Sequence, residues 1–289
     1  NFKTKATLST TAKDVAVTFA KGTKFTYADG VVTALDVTEV EKDTLYLKNG
    51  DYTMAIALQK IPNVLPGSGS ETDPYQIKTA EDYCKIGKQM EDASYSFAGE
   101  YFKVLNDIDF KDKAFVAIGT ADVPFQGVLD GGNFALKNVV DTVTIEDEVN
   151  EANQNLAAVR YLGGEGVVKN LNVEGFQLRG FNNVAAVVAQ NDGLVENCQV
   201  SADTKIEALA TKATSNGAKA GGVVAVANAG SKVKNCVNKA TVTARQAAGG
   251  IVGGSNSSST ESTIEGCVNY GTITANFPVT TTRTSTGKL

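Results

Sequence analysis

Leu194-Val195-Glu196-Asn197-Cys198, Lys232-Val233-Lys234-Asn235-Cys236 and Thr263-Ile264-Glu265-Gly266-Cys267 are one pattern written three times. Each alternates for three residues, passes through Asn or Gly, and ends on Cys. Alternation with period 2 marks a half-buried strand. Asn and Gly share tolerance of the left-handed backbone region, so the fourth position reads as a corner at positive φ. Two further stretches fit without Cys: Ala135-Leu136-Lys137-Asn138-Val139 and Val167-Val168-Lys169-Asn170-Leu171. The alignment yields an inward core column of Val139, Leu171, Cys198, Cys236 and Cys267. It also yields a corner column of Asn138, Asn170, Asn197, Asn235 and Gly266. Stacked asparagines are placed either to bond one another along an axis or to present a row of amides to a sugar.

Two more columns accompany this one. Val128, Val159, Val187, Val223 and Ile251 follow mostly small residues such as Ala185-Ala186 and Gly249-Gly250. Val143, Leu178, Ile206, Val242 and Ile273 come after the corner. Three short strands in each repeat of ~30 residues predict a solenoid whose coils bury their inward residues only against neighbours. A propeller needs about four strands per ~40 residues. The expected architecture is all-β, a right-handed parallel β-helix, its hand taken from the rule for parallel crossovers. The intervals vary where insertions such as 209–219 and 255–262 fall. A longer loop costs little, because closure entropy grows only logarithmically.

Upstream the pattern changes. Thr79 with Asp82 resembles a capping box, and Tyr83, Ile86 and Met90 make one apolar stripe, so a helical cap is expected near 79–92. Pro62 to Ser70 is rich in Pro, Gly and Ser and reads as a linker. Before it, Val15, Val17 and Phe19, then Tyr52, Met54, Ile56 and Leu58, alternate as strands. Asp29-Gly30 and Asn49-Gly50 read as hairpin turns. Residues 1–64 are therefore expected as a small β-sandwich-like module, marginal alone at its size. Residues 65–289 are expected as the β-helix.

Composition narrows the chemistry. The 289 residues contain no His, which excludes imidazole-based nucleophiles and most catalytic zinc sites. Net charge is −5, against nucleic acid as a partner, and the basic excess lies in 201–289, with nine Lys/Arg against four Asp/Glu. No run of ~18 apolar residues spans a membrane. Asn1 in place of Met is read as the mark of a removed leader. Asp107 and Asp109 are paired carboxylates at i, i+2, the kind that hydrolyses glycosides or holds a hard cation. The bland reading is a polar strand edge. Glu146, Asp147, Glu148 and Glu151 read as a solvated acidic loop, with no ligand spacing for calcium. Cys84, four residues before Lys88, reads as a buried structural thiol. The three aligned cysteines read as reduced core residues, since equivalent positions on adjacent strands lie too far apart for a disulfide. Asn256-Ser257-Ser258 matches a glycosylation sequon on an exposed loop.

Several stretches carry a family resemblance. They are Gly67–Asp82 (GSGSETDPYQIKTAED), Gly99–Asp109 (GEYFKVLNDID), Ala117–Thr120 (AIGT) and Pro124–Asn133 (PFQGVLDGGN). Together these resemble the opening of the β-helix in Bacteroidetes surface proteins with GLUG-type repeats. Gly250-Ile251-Val252-Gly253 is close to the naming motif, with weaker copies at Gly222–Ala225 and Ala186–Ala189. The resemblance implies a secreted or cell-surface protein, outer-membrane anchored before processing, of the kind described as an adhesin. It carries no catalytic residue, cofactor or metal. The expected function is non-enzymatic binding of host glycans or extracellular proteins by a monomer. The alternatives are a polysaccharide-degrading lyase or glycoside hydrolase, and a structural spacer. Phe277, Val279 and Leu289 are expected to cover the open end of the stack, unless the chain is a segment of a longer array.

Overall fold

Strands of two to four residues cannot stand alone, and here they are held by stacking. The computed structural model describes residues 5–7, 15–22, 24–35, 37, 41–60, 65–144, 146–209, 217–255 and 261–276. The chain divides into two compact units, Asn1–Pro66 and Gly67–Leu289. The linker residues 61–64, the sequon at 256–258 and the capping residues Phe277, Val279 and Leu289 lie outside the described residues.

The first unit has two three-stranded antiparallel sheets. In one, Val31–Ala34 lies between Lys5–Thr7 and Phe25–Ala28. In the other, Glu41–Asn49 lies between Ala16–Phe19 and Tyr52–Lys60. Asp29 (φ 49) and Gly30 (φ 79) make the first hairpin turn, both at positive φ as a tight two-residue hairpin demands. Phe25, Val32, Ala34, Leu45 and Leu58 form the core.

In the second unit, five sheets of parallel strands stack coil upon coil in a β-helix-like arrangement. The first sheet runs Tyr75–Ile77, Tyr101–Val104, Val128–Asp130, Val167–Lys169, Leu194–Glu196, Lys232–Lys234 and Thr263–Glu265. The next coil position forms the second sheet, which includes Ala135–Lys137, Asn172–Glu174 and Gln199–Val200. The third includes Val140–Thr142, Gln177–Gly180 and Lys205–Ala208. The fourth and fifth include Asn183–Ala185 and Val188–Asn191.

A coil therefore has five short strands, not three. The sequence columns marked only the clearest inward residues, and the small-residue runs, which are strands themselves, have no apolar alternation to show it. The registers correct two columns as well. Val128 pairs with Val167 in the first sheet, and Val159 pairs with Val188, not Val187. Asp141, not Val143, stands opposite Leu178. A one-residue slip, as between Val187 and Val188, is invisible where both candidates are apolar, but it changes which side chain faces inward. The Asp141 position is two residues from Val143 and escapes the pattern because an acidic side chain does not mark an inward position.

The helix spans Ala80–Ala93 with Thr79 as N-cap and a reciprocal bond to Asp82. Its stripe of Tyr83, Ile86 and Met90 is fully buried. Tyr83 Oη donates to the Ala158 carbonyl at 2.6 Å, and its ring packs against Phe110 and Phe115. The helix thus seats on the first coil. The Gly67–Ser70 stretch, expected as linker, is instead an ordered loop. The amides of Ser68 and Gly69 bond the Asp73 carbonyl, and the Tyr101 amide bonds the Gly69 carbonyl. Gly67 (φ 106) is required there, because a Cβ would collide with the Pro74 carbonyl. No helix among the described residues is long and apolar enough to cross a membrane.

Candidate functional site

In each parallel strand the middle residue of the repeat motif points inward and its two flanks point outward. On the first sheet this builds two outward rows in register along the stack. One row is Tyr101, Val128, Val167, Leu194, Lys232 and Thr263. Its first four members are apolar and half-buried. The other row is Lys103, Asp130, Lys169, Glu196, Lys234 and Glu265, alternating in sign at every coil. Lys103 pairs with Asp130 at 3.0 Å and Lys234 with Glu265 at 3.2 Å. The second sheet repeats the device, with Lys137 between Asp107 (2.6 Å) and Glu174 (3.2 Å). Exposed pairs of this kind contribute only ~0.2–1 kcal/mol each, so they mainly disfavour slipped registers that would oppose like charges.

A groove of about 220 Å3 opens where the two outward rows begin, with Tyr101 and Val128 beside Lys103, Asp130 and Lys169, and Glu71 and Pro74 as a wall. Burial pushes the Asp130 carboxyl up. Hydrogen bonds from Asn170 Nδ2, the Gly132 amide and Lys103 outweigh it and hold the group ionised below the usual range. The groove therefore offers an apolar strip flanked by a fixed acceptor and ammonium donors. This groove was not expected from the sequence, although the alternating third residue of the motif, Glu196, Lys234 and Glu265, already carried the signal.

The corner and core columns divide. Asn170, Asn197, Asn235 and Gly266 stand at φ 53, 54, 52 and 64 on the corner after the first sheet. Asn197 Nδ2 donates to Asn170 Oδ1 at 3.4 Å, and Asn170 in turn to Asp130. Asn138 also has positive φ, 60, but sits one corner further on. Lys137 pairs with Glu174, which places Asn138 beside Gly175 and Val139 beside Phe176. Asn138 Nδ2 donates to Asp109 Oδ1 at 2.9 Å. Asn138 and Val139 must therefore be removed from the columns they were aligned with. The reason is that both corners use the same local device, a strand, a left-handed residue and an inward apolar side chain, so their sequences look alike.

Leu171, Cys198 and Cys236 are fully buried, and Cys267 is half-buried. All four cysteines are free thiols. The thiols of Cys198, Cys236 and Cys267 each donate to the carbonyl two residues earlier, at 3.3, 3.1 and 3.4 Å. Burial raises the Cys198 and Cys84 thiols above their ordinary range, so neither is an activated nucleophile.

Asp107 and Asp109 do not act as a pair. Asp107 is held low by Lys137 and accepts from the Ala135 amide; Asp109 is held low by Asn138 and accepts from the Lys111 amide. Glycoside hydrolysis needs one raised carboxyl as proton donor, and neither is raised. Glu146, Asp147 and Glu148 are exposed, and Asp147 is used locally by the Thr144 amide. The side chain of Glu151 lies outside the described residues. Among the described residues no group of three or more acidic or thiol side chains converges on one point.

Among the described residues one carboxyl is raised. Asp141 occupies an inward register position shared with Leu178, Ile206, Val242 and Ile273. Burial raises it, and the nearby Arg160 only partly offsets this. Arg160 is itself buried, its Nε without a partner among the described residues.

No family model matches the chain, and no solved structure matches it. A curated protein called Halomucin, from Haloquadratum walsbyi, is 27% identical over 147 residues. That likeness covers 47% of this chain but only 2% of Halomucin, so the chain spans a small fraction of that relative's length.

Proposed function

We propose that this chain is a right-handed parallel β-helix of a secreted or cell-surface protein that binds host glycans or extracellular proteins without catalysing a reaction. The observation that carries this reading is the outward apolar strip from Tyr101 to Leu194, bordered by the charged row. An aromatic ring and aliphatic side chains left half-open on a sheet suit the apolar face of a sugar, and Asp130, Lys103 and Lys169 suit its hydroxyls. The spacing of ~4.8 Å between strands gives a regular ladder for an extended chain laid along the stack. The GLUG-type resemblance supports the same class of protein. A glycan-array screen, run beside an assay for released sugars, tests it. The expected result is binding that is lost in Val167→Asp, with no sugar released. Release of sugar, or binding indifferent to Val167→Asp, overturns it. The spacer reading draws support from the mutual pairing of charges along the sheets, and failure of every glycan and protein probe favours that reading instead.

A further inference from the structure

A second concavity lies away from the sheet strip, beside the helix Ala80–Ala93. Its volume is about 430 Å3, within the range of small-molecule pockets and toward its lower end. Ala80, Cys84, Ala114 and Val116 supply small, mostly apolar lining. Cys84 is nearly closed off, with its thiol turned to the Ala114 carbonyl at 3.5 Å. Lys88 and Lys113 stand at the same opening. Neither is in an ion pair among the described residues. Lys113 donates to the backbone carbonyl of Asp109 at 3.1 Å, which leaves its charge without a bonded carboxylate. The one lining acid, Glu81, is engaged by Lys85 at 3.4 Å, and the Thr79 hydroxyl is committed to the Asp82 amide. The cavity is thus lined mostly by small side chains and carries two lysines in no ion pair among the described residues, of which Lys113 also helps to hold the Asp109 carboxyl low.

We infer that this cavity is a binding site for a carboxylated monosaccharide, the acidic end of a glycan, with its carboxylate held between Lys88 and Lys113. Small lining side chains leave room for one sugar ring and its apolar substituents. Two ammonium groups without bonded carboxylates favour an anion over a neutral sugar, because charge-assisted hydrogen bonds are roughly twice as strong as neutral ones. The sugar half of the assignment rests on the glycan-binding reading; the carboxylate half rests on the two lysines alone. Cys84 takes no part in chemistry and serves as a reporter at the floor.

The test is protection of Cys84 from alkylation by iodoacetamide, followed on its own peptide by mass spectrometry. The probes are N-acetylneuraminic acid, its methyl ester and hexanoate. The acid sugar is expected to slow Cys84 alkylation, and the ester to do so about tenfold less well, which corresponds to ~1.4 kcal/mol. Lys88→Gln and Lys113→Gln are expected to reduce protection by a similar factor with unchanged melting temperature. Equal protection by acid and ester overturns carboxylate recognition. Equal protection by hexanoate and the acid sugar overturns the sugar half. No protection by any probe overturns the site, while glycan binding lost in Val167→Asp continues to report on the sheet strip independently.

Discussion

The middle coils and the last described coil carry the same motif with different outcomes. Val195 and Val233 are fully buried, but Ile264 in the same position is 52% exposed. Cys198 and Cys236 are sealed, but Cys267 is half-open. Val268 and Tyr270 of that coil are 41% and 72% exposed. The local hydrogen bonds hardly differ: each thiol meets the carbonyl two residues back, and each corner residue has positive φ. The motif therefore specifies conformation, and the neighbouring coil specifies burial. This follows from the one-dimensional character of a solenoid, in which each repeat's stability is mostly an interface term.

The most severe way to break this comparison is a charge in the core column. Cys236→Asp is expected to cost at least ~3 kcal/mol, since it buries a carboxylate with no partner. Cys267→Asp is expected to cost no more than ~1 kcal/mol at its half-open site. Urea denaturation midpoints compare them, and equal losses would show that stacking does not set burial here.

The corner is next in size. Asn197→Val is expected to cost ~1–2 kcal/mol, because a β-branched residue must be held at φ 54. Asn197→Gly is expected to change stability by ~0.5 kcal/mol or less, as glycine accepts that region freely. A valine variant as stable as the glycine variant would mean that backbone conformation is not what the corner selects.

Cys236→Val is a smaller perturbation, expected within ~1.5 kcal/mol as a near volume-conserving swap. Thermal melting checks it, and a loss as large as that of Cys236→Asp would mean that the thiol's bond to the Lys234 carbonyl, not apolar packing, dominates the site.

The subtlest test sharpens the contrast between the first coil and the rest. Asp141 stands where later coils place Leu178, Ile206 and Val242. Its carboxyl is raised by burial in the folded state, so the ionised form is a penalty near neutral pH. The penalty is relieved as pH falls through the raised value toward the ordinary carboxylate range. The lowered groups Asp107 and Asp109 act oppositely, their contribution full above that range and lost only below it. Asp141→Asn is therefore expected to raise the melting temperature at pH 7 and to abolish the gain on mild acidification. A variant whose pH profile parallels the parent would remove Asp141 from the interior.

The strands, their period and the left-handed corners were legible because each is a property of a few adjacent residues. Glu196-Asn197-Cys198 needs no distant partner to take its shape. The helix was legible for the same reason, since its cap and stripe lie within twelve residues, Thr79 to Met90. The candidate site was only partly legible. Tyr101, Val128 and Val167 are 66 residues apart at the extremes and become neighbours only when coils of unequal length are laid in register. Lys88 and Lys113 line one cavity because the helix lies against the segment around Ala114.

By itself the sequence determined a stack of short parallel strands with Asn or Gly at a recurring corner, because side-chain alternation and positive φ are local demands. Tertiary structure decided the register: that a coil has five strands, that Asn138 and Val139 belong to a different corner from Asn170 and Leu171, and that Asp141 rather than Val143 stands opposite Leu178. The physical reason is that two corners with the same backbone needs write the same residues. Only the hydrogen bonds between coils, summed over a whole ladder, distinguish one alignment from another.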